Sequence, residues 1–282
     1  MKILCLSDLH GRFPNKLHSF AKEGKFDLIL VAGDITESET LRKLQFDNWN
    51  KLHSSKKTIE DIVGKREFKR LLKASAVTVI KTLKKLNNLE APVIIISGNS
   101  DNQHGSLAQY KLSCFEIENV AQQFKNIVYV DKTFIEIEDI SIITHGGYRG
   151  VKLKKSPGQK IGSLKYSRHK KQYIKELTAL FKNMKHPENT IFLTHDVPFN
   201  IDMDLVKLKT SPMYGRHVGD ELYRLFIEKY SPAINICGHM HENQGKELIK
   251  KTIIANCGYG HDGQCCVLKM KDKKTAVRFY KL

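Results

Sequence analysis

The sequence predicts an α/β fold, and three observations support this prediction. Short apolar segments of strand length alternate with segments whose apolar residues have helical spacing. The 282 residues are 41% hydrophobic and 27% charged, so the chain can bury a sizeable core and is not disordered as a whole. Polar residues with chemically active side chains follow several of the apolar segments, as they do at the carboxyl edge of an α/β sheet.

The chain begins with a predicted βαβ unit. Residues 2–6 have the pattern of an apolar strand, residues 14–24 that of a short helix, and residues 26–32 that of a second strand. Asp8 and His10 follow the first strand, and Asp34 follows the second. Because ligands of open α/β sheets bind at the carboxyl ends of the strands, we expect these side chains to line a site.

The segment from about residue 39 to 88 is helical in pattern and strongly basic. A crossover between parallel strands needs only about a dozen residues, so this connection carries extra material. We interpret it as an inserted helical hairpin followed by the crossover helix. Its lysines are typical of a solvated helix face, and a binding patch is the alternative. We treat residues 1–282 as a single domain that carries this helical insertion.

The rest of the chain continues the alternation. Strands are predicted at residues 93–96, 127–130, 134–137, 140–144, 189–194, 233–237, 252–258, 264–270 and 276–280. Helices are predicted from residue 106, at 171–184 and at 220–230. A basic loop at about 148–171 is longer than most connections, so we expect it to be functional or mobile.

The charge and cysteine content limit the classes of partner and compartment. The net charge of +17 indicates either a polyanionic partner such as nucleic acid or a generally lysine-rich surface. No run of about 18 apolar residues is present, so we expect no membrane insertion. The N-terminus has no signal-peptide pattern, and the six cysteines lack a regular framework spacing. These features favour a reducing, cytoplasmic location.

Side chains that can bind a metal ion stand just after the apolar strands. They are Asp8, His10, Asp34, Asn99, His195, His239 and His241. Oxygen donors combined with imidazoles suit Mn, Fe, Zn, Co or Ni better than Ca or Mg alone. The set is large enough for two transition metal ions, divalent or trivalent, with one carboxylate between them.

The order of these motifs resembles that of the calcineurin-like metallophosphoesterases. The motifs are Asp8-x-His10, Gly33-Asp34, Gly98-Asn99-x-Asp101, His195 and Gly238-His239-x-His241. The resemblance spans residues 2 to about 258. It implies a four-layer α-β-β-α sandwich, in which two mixed sheets pack face to face and helices cover the outside.

The resemblance also implies a ligand set for each of two metal ions. One ion would be held by Asp8, His10, Asp34 and His241. The other would be held by Asp34, Asn99, His195 and His239, with Asp34 bridging the two. Asp34 and Asn99 would therefore act in catalysis through the metals, and the nucleophile would be a hydroxide that bridges the ions.

The chain departs from the family pattern at Ser100. The third motif of the family usually reads Gly-Asn-His-Asp, and its histidine protonates the leaving group or binds the phosphate. A serine hydroxyl cannot act as a general acid at neutral pH. Because family members that lack this histidine favour phosphodiesters with good leaving groups, the resemblance implies a substrate of that kind. Asp101 remains in place, and we expect it to hydrogen-bond a ligand or the substrate through water.

Two histidines compete for the second metal. Thr144-His145-Gly146 matches a motif of some short family members, whereas His195-Asp196-Val197-Pro198 resembles the His-x-Pro-Pro segment of longer members and is preferred.

The remaining candidates would contact the substrate. They are Arg12, Ser100 and Arg149, with His104 and His217 as loop histidines that could approach the site. Arg12 could pair with a phosphate oxygen or be an ordinary surface arginine.

The sequence therefore predicts a metal-dependent phosphoester hydrolase, preferably a phosphodiesterase. A nuclease that binds nucleic acid through the basic segments is the second hypothesis. A non-catalytic scaffold that uses the same fold as a binding surface is the third, and the presence of every metal ligand weakens it. The oligomeric state is left open.

Overall fold

The computed structural model describes residues 1–55, 57–101, 104–147 and 168–282. The strands are β1 (Lys2–Leu6), β2 (Leu28–Val31), β3 (Val93–Ile95), β4 (Ile127–Tyr129), β5 (Phe134–Ile137), β6 (Ile140–His145), β7 (Thr190–Thr194), β8 (Ile234–Cys237), β9 (Gly245–Ile249), β10 (Thr252–Asn256), β11 (Gln264–Lys271) and β12 (Lys274–Lys281). The helices are α1 (Asn15–Glu23), α2 (Glu39–Asp47), α3 (Trp49–Ser54), α4 (Ile59–Val63), α5 (Lys65–Asn87), α6 (His104–Gln109), α7 (Ile117–Ala121), α8 (Arg168–Phe181) and α9 (Glu221–Tyr230).

The strands form two six-stranded mixed sheets. The first has the order β12-β11-β1-β2-β3-β4, and the second has the order β5-β6-β7-β8-β10-β9. Strands β1 to β4 are parallel to one another, as are β6, β7, β8 and β10. The remaining pairs, at the β12-β11-β1, β5-β6 and β10-β9 positions, are antiparallel. Each sheet therefore has a parallel core whose carboxyl ends lie at one edge.

Alternate residues of each buried strand face different apolar layers. In β1, Cys5 packs in the layer between the two sheets, whereas Leu4 packs with Leu17 of α1 and Leu83 of α5. On the second sheet, Phe192 packs outward against helices α8 and α9. This period of two produces three apolar layers. The predicted four-layer α-β-β-α sandwich is confirmed.

The basic region between β2 and β3 consists of three short helices followed by the 23-residue helix α5. Helix α5 is the crossover helix, and its apolar stripe is fully buried. The stripe consists of Leu72, Ala76, Val79, Leu83 and Leu86. Three short helices replace the predicted hairpin, since α2 to α4 have between five and nine residues each. The division of the chain into one domain with an insertion stays a prediction.

Two segments differ from the sequence interpretation. Strand β9 was not predicted, because its five residues include Lys246 and Glu247 and it lies at an edge of the second sheet with alternating burial. Residues 148–167 of the predicted basic loop lie outside the described residues. Its last four residues, 168–171, form the start of α8. Among the described helices, none is both long enough and apolar enough to cross a membrane.

We predict that replacing Leu83 with alanine lowers the free energy of unfolding by about 2–5 kcal/mol, because a fully buried side chain leaves a cavity. Urea unfolding of the metal-free protein measures the change. Ile80→Ala is the matched control on the same helix: Ile80 is 37% exposed, and its replacement should cost less than about 1 kcal/mol. Equal losses for the two variants would contradict the orientation of α5.

Candidate metal centre

The predicted ligand residues lie together at the carboxyl edges of the two sheets. They follow β1, β2 and β3 on the first sheet and β7 and β8 on the second. The first sheet contributes Asp8, His10, Asp34 and Asn99, and the second contributes His195, His239 and His241. Face-to-face packing of the sheets brings the two sets of side chains into contact.

The backbone at this edge is bent so that the side chains converge. Asp8, His10, Asp34 and His239 all have positive φ angles, between 41° and 65°. A residue other than glycine in this region costs about 1–3 kcal/mol, and such residues cluster at functional sites. These backbone conformations are therefore locally unfavourable, and the packing of the two sheets stabilises them.

Glycines allow the loops to approach each other closely. A Cβ atom on Gly98 would collide with the Asp34 carboxylate, and one on Gly238 would collide with the Ser7 hydroxyl and the Asp8 carboxylate. Any larger residue at either position would displace a carboxylate. The motifs Gly98-Asn99 and Gly238-His239 therefore need their glycines for close packing around the site.

One group of ligand atoms contains Asp8, His10 and His241. The Nε2 atom of His241 lies 3.0 Å from the Asp8 Oδ1 atom and 3.2 Å from the His10 Nε2 atom. The Nε2 atom of His10 lies 3.7 Å from the same carboxylate oxygen. Two imidazole nitrogens and one carboxylate oxygen thus face a common point.

A second group contains Asn99, His195 and His239. The Asn99 Oδ1 atom lies 2.9 Å from the His195 Nε2 atom and 2.8 Å from the His239 Nδ1 atom. The Asp196 Oδ1 atom lies 3.9 Å from the same nitrogen of His239. This group also combines oxygen and imidazole donors.

Asp34 lies between the two groups. Its Oδ2 atom is 3.5 Å from the His10 Nε2 atom, and its Oδ1 atom is 3.5 Å from the His195 Nε2 atom. The carboxylate therefore presents one oxygen to each group. This is the arrangement that a carboxylate shared by two metal ions requires.

Neighbouring polar groups orient the ligand side chains. The Ser7 hydroxyl and the His239 backbone N–H both donate to the Oδ2 atom of Asp8, which leaves the Oδ1 atom facing the histidines. The Nδ1 atom of His195 is 2.7 Å from the Ala32 carbonyl oxygen, so this nitrogen donates and the Nε2 atom is the one that can bind a metal ion. Such partners fix the tautomer of a metal-binding histidine.

The charges in the cluster shift several pKa values. Burial alone would lower the pKa of His10, but the hydrogen bond to Asp8 and the charges of Asp34 and Asp8 raise it to about 9. Burial also opposes the charged form of His195, and the charges of Asp34, Asp8 and Asp196 raise its pKa to about 9. Burial and the charge of His195 lower the pKa of His239 to about 4. The carboxylates thus attract positive charge to this point.

The donor atoms present fit metal ions. Three groups of side chains place their candidate ligand atoms within 4.8 Å of one another, and they are buried or nearly so. The groups are Asp8, His10 and His241; Asp8, Asp34 and His195; and His195, Asp196 and His239. The Oδ1 atom of Asp196 is buried and has no hydrogen-bond partner, which is consistent with a cation as its partner.

Asp101 and Ser100 support Asp34 from the loop after β3. Asp101 accepts hydrogen bonds from the backbone N–H groups of Ile35, Thr36 and Gly98, so it ties the loop after β2 to its own loop. Ser100 donates its hydroxyl to the Asp34 Oδ2 atom over 2.9 Å, and its backbone N–H donates to the Oδ1 atom. Both residues are buried. Their contacts hold the Asp34 carboxylate and its loop in place.

His145 lies apart from the ligand groups. Its Nδ1 atom is 2.8 Å from the Tyr223 hydroxyl oxygen, and its Nε2 atom is 3.8 Å from a carboxylate oxygen of Glu176. His195, in contrast, contacts Asn99 and lies near Asp34. The geometry therefore favours His195 over His145 as the histidine of the second group.

The other predicted contacts are only partly described. Arg12 is exposed on the turn after His10. His217 pairs with Asp204, 2.6 Å away, within the loop before α9. Arg149 and the side chain of His104 lie outside the described part of the structure. The substrate-contact assignments accordingly stay predictions.

Sequence reasoning did not identify Asp196 and Tyr259 as neighbours of the site. The Tyr259 ring stacks on the His241 ring, with centroids 4.2 Å apart, and its hydroxyl donates to Glu39 over 2.9 Å. The position of each residue in the sequence could have indicated that it lies near the site. Asp196 directly follows His195, and Tyr259 comes just after the end of β10. Both stand at strand ends, like the ligands.

The fold and the site together define a two-sheet α/β scaffold with a metal-binding edge. More specifically, the chain belongs to the family described as metallophosphoesterase, calcineurin superfamily, whose model matches residues 1–279. Members of this family bind metal ions and hydrolyse phosphoesters, so the chain is in general terms a metal-dependent phosphoester hydrolase.

Comparisons with individual proteins agree with this family and fold. The chain is 24% identical over 258 residues to the uncharacterized protein MJ1162 of Methanocaldococcus jannaschii, covering 91% of this chain and 87% of that protein. It is similar to the crystal structure of TT1561 of Thermus thermophilus, with a TM-score of 0.57, 15% identity and coverage of 98% and 97% of the two chains.

A plant enzyme has the same fold within a longer chain. The purple acid phosphatase PPD1 from yellow lupin seeds matches with a TM-score of 0.52 and 13% identity. The match covers all of this chain and 51% of the lupin chain. At this level of identity the similarity concerns the fold alone.

We predict that metal ions and protons compete for His10 and His195. Because the pKa of each is about 9, both are protonated at pH 7 in the metal-free protein, and a bound ion must displace those protons. The apparent metal affinity should rise up to about tenfold per pH unit for each displaced proton between pH 6.5 and 9. Calorimetric titration in two buffers of different ionisation enthalpy measures the protons released.

The metal-free protein should show the opposite dependence. Both histidines have a folded-state pKa above the ordinary 6.5, so the stability they contribute is fully present below pH 6.5 and is lost as the pH rises through about 9. Its melting temperature should therefore be lower at pH 9 than at pH 6.5. A metal affinity that does not change with pH would contradict the assignment of these histidines as ligands.

Proposed function

We propose that the protein is a phosphodiesterase with a dinuclear metal centre. One ion would be held by Asp8, His10, Asp34 and His241, and the other by Asp34, Asn99, His195 and His239. When bound, the ions would supply a positively charged clamp for the phosphoryl oxygens and a bridging hydroxide as nucleophile. The metal identity is left among Mn, Fe, Zn, Co and Ni.

One observation carries the proposal above all others. Asp34 presents one carboxylate oxygen to His10 and the other to His195, each at 3.5 Å. A site for a single ion would not require a carboxylate between two separate sets of imidazoles. The position of Asp34 therefore supports two ions that share it.

The chain's own residues would hold this arrangement rigid. Ser7 and the His239 backbone fix the orientation of Asp8, and Ser100 with Asp101 fixes the loops around Asp34. Rigid support matters because a displacement of even 1 Å can reduce a rate about 100-fold. We assign these residues to positioning, and none of them to proton transfer.

The preference for diesters rests on Ser100. The family's histidine at this position would supply a proton to the leaving group, and the Ser100 hydroxyl instead donates to Asp34. Without a general acid, the leaving group must depart as an anion, so substrates with acidic leaving groups are favoured. Aryl phosphodiesters meet this requirement better than alkyl phosphomonoesters.

A nuclease remains a second candidate because α5 presents a basic outer face. Its exposed basic residues are Lys65, Arg66, Lys69, Arg70, Lys73, Lys81 and Lys84. Nucleic acids are phosphodiesters, so the same centre would serve. A gel shift with single-stranded nucleic acid distinguishes the two: binding that falls steeply with salt favours the nuclease, and absent or salt-insensitive binding rejects it.

Removing the ligand side chain of Asp34 or of Asn99 should abolish turnover. We expect Asp34→Asn and Asn99→Ala to lower the rate of hydrolysis of an aryl phosphodiester by more than about 100-fold. A loss of about 100-fold is the upper limit for removing a residue that only hydrogen-bonds a metal ligand. Rates are measured spectrophotometrically after metal reconstitution. Asn119→Ala, at an exposed position of α7, is the matched control and should retain full activity. Full turnover by metal-loaded Asp34→Asn protein would sink the proposal.

We expect Ser100→His to reduce the dependence of rate on the leaving group. A positioned imidazole acid increases a rate about 100- to 10,000-fold. The rate of the variant should therefore rise most for alkyl esters and phosphomonoesters, whereas the wild type prefers aryl diesters. A series of diesters and monoesters with leaving groups of graded acidity measures this slope. Ser100→Ala separates the two effects, since it removes the bond to Asp34 without adding an acid. Equal slopes in all three proteins would contradict the explanation.

A further inference from the structure

Asp196 is a buried carboxylate that the proposed ligand sets leave unused. It directly follows His195 at the end of β7 and is 4% exposed. Its Oδ1 atom is inaccessible to solvent and accepts no hydrogen bond. Buried carboxylates normally have hydrogen bonds, a cationic partner or a metal ion, because an isolated buried charge is strongly unfavourable.

The position of this oxygen identifies the partner it lacks. The Asp196 Oδ1 atom lies 3.9 Å from the His239 Nδ1 atom. That nitrogen is also 2.8 Å from the Asn99 Oδ1 atom, so it faces the second ligand group. Ligand atoms of His195, Asp196 and His239 all lie within 4.8 Å of one another.

The side chains beside Asp196 that can carry positive charge are His195 and His239, and both belong to the second group of candidate ligands. In the described part of the chain, its ion-pair contact is with His239, and no lysine or arginine lies within ion-pair distance of it. A metal ion bound by these two histidines would place positive charge beside the buried Oδ1 atom.

We propose that Asp196 is a fifth protein ligand of the second metal ion, in addition to Asp34, Asn99, His195 and His239. This inference rests on the proposed dinuclear centre. Five donors, three of them oxygen atoms, exceed the four of a tetrahedral zinc site. They suit a harder ion of higher coordination number, such as Mn²⁺. Asp196 therefore selects the metal at the second position.

The test compares the wild type with Asp196→Asn in metal binding, without using activity. Metal-free proteins are titrated with Mn²⁺ and separately with Zn²⁺ by calorimetry. We expect the wild type to bind two Mn²⁺ ions. In Asp196→Asn, the binding event assigned to the Asp8 group should be unchanged, and the other should weaken more than about 100-fold for Mn²⁺, beyond the range for loss of a residue that only contacts a ligand. The loss for Zn²⁺ should be smaller.

Two further measurements separate a ligand from a structural residue. Thermal melts of the metal-free proteins should show no loss of stability in Asp196→Asn, because a buried carboxylate without a partner becomes a neutral amide. Absorption spectra of the Co²⁺ forms should intensify in the variant, since fewer ligands favour tetrahedral coordination. Asp202→Asn, an exposed aspartate in the following loop, is the matched control and should match the wild type in all measurements.

The outcomes are distinct. Unchanged binding of both ions by Asp196→Asn would overturn the ligand role alone and leave the dinuclear centre intact. Equal weakening of both ions, together with a lower melting temperature of the metal-free variant, would also overturn it and indicate a structural carboxyl group. A wild type that binds only one ion would remove the dinuclear centre and the role of Asp196 with it.

Discussion

The rest of the structure depends on holding Asp34 between two sets of imidazoles. Its two carboxylate oxygens face histidines that come from different sheets, His10 on the first and His195 on the second. This is possible only if the two sheets pack face to face with their carboxyl edges level. The apolar layer between the sheets, formed by alternate residues of each strand, fixes that alignment. The core therefore serves the site as well as the stability of the fold.

Concentrating charge at one edge is unfavourable, and the protein offsets this cost in identifiable ways. Backbone and hydroxyl donors satisfy Asp8 and Asp101, and the carboxylates raise the pKa of His10 and His195 to about 9. Strained backbone at four ligand positions adds a further cost. Metal ions replace protons in such a cluster, so the same carboxylates that hold protons in the metal-free protein are suited to hold cations. Stability and metal binding are thereby linked at one place.

Ser100 stands where the family usually has a histidine, and it contacts Asp34. Its hydroxyl and backbone N–H both donate to Asp34, so this position supports the Asp34 carboxylate where the family's histidine would meet the leaving group. In the proposed function, the cluster would bind and polarise a phosphoryl group, and the Ser100 hydroxyl would not supply a proton to the leaving group. Under the proposed function, the substrate range would be limited by leaving-group acidity rather than by the ability to bind phosphate.

The sequence by itself determined the strands of the two parallel sheet cores, the order of the ligand motifs and the resemblance to the family, because strand patterns and motif spacing are local properties. It did not indicate β9, whose charged residues hide an edge strand, or the three short helices before α5. Only the tertiary structure decided that His195 and not His145 lies near Asn99, and that Asp196 and Tyr259 adjoin the ligands. The physical reason is distance along the chain: Asp8 and His241 are 233 residues apart, and only the packing of the two sheets places them 3.0 Å from each other.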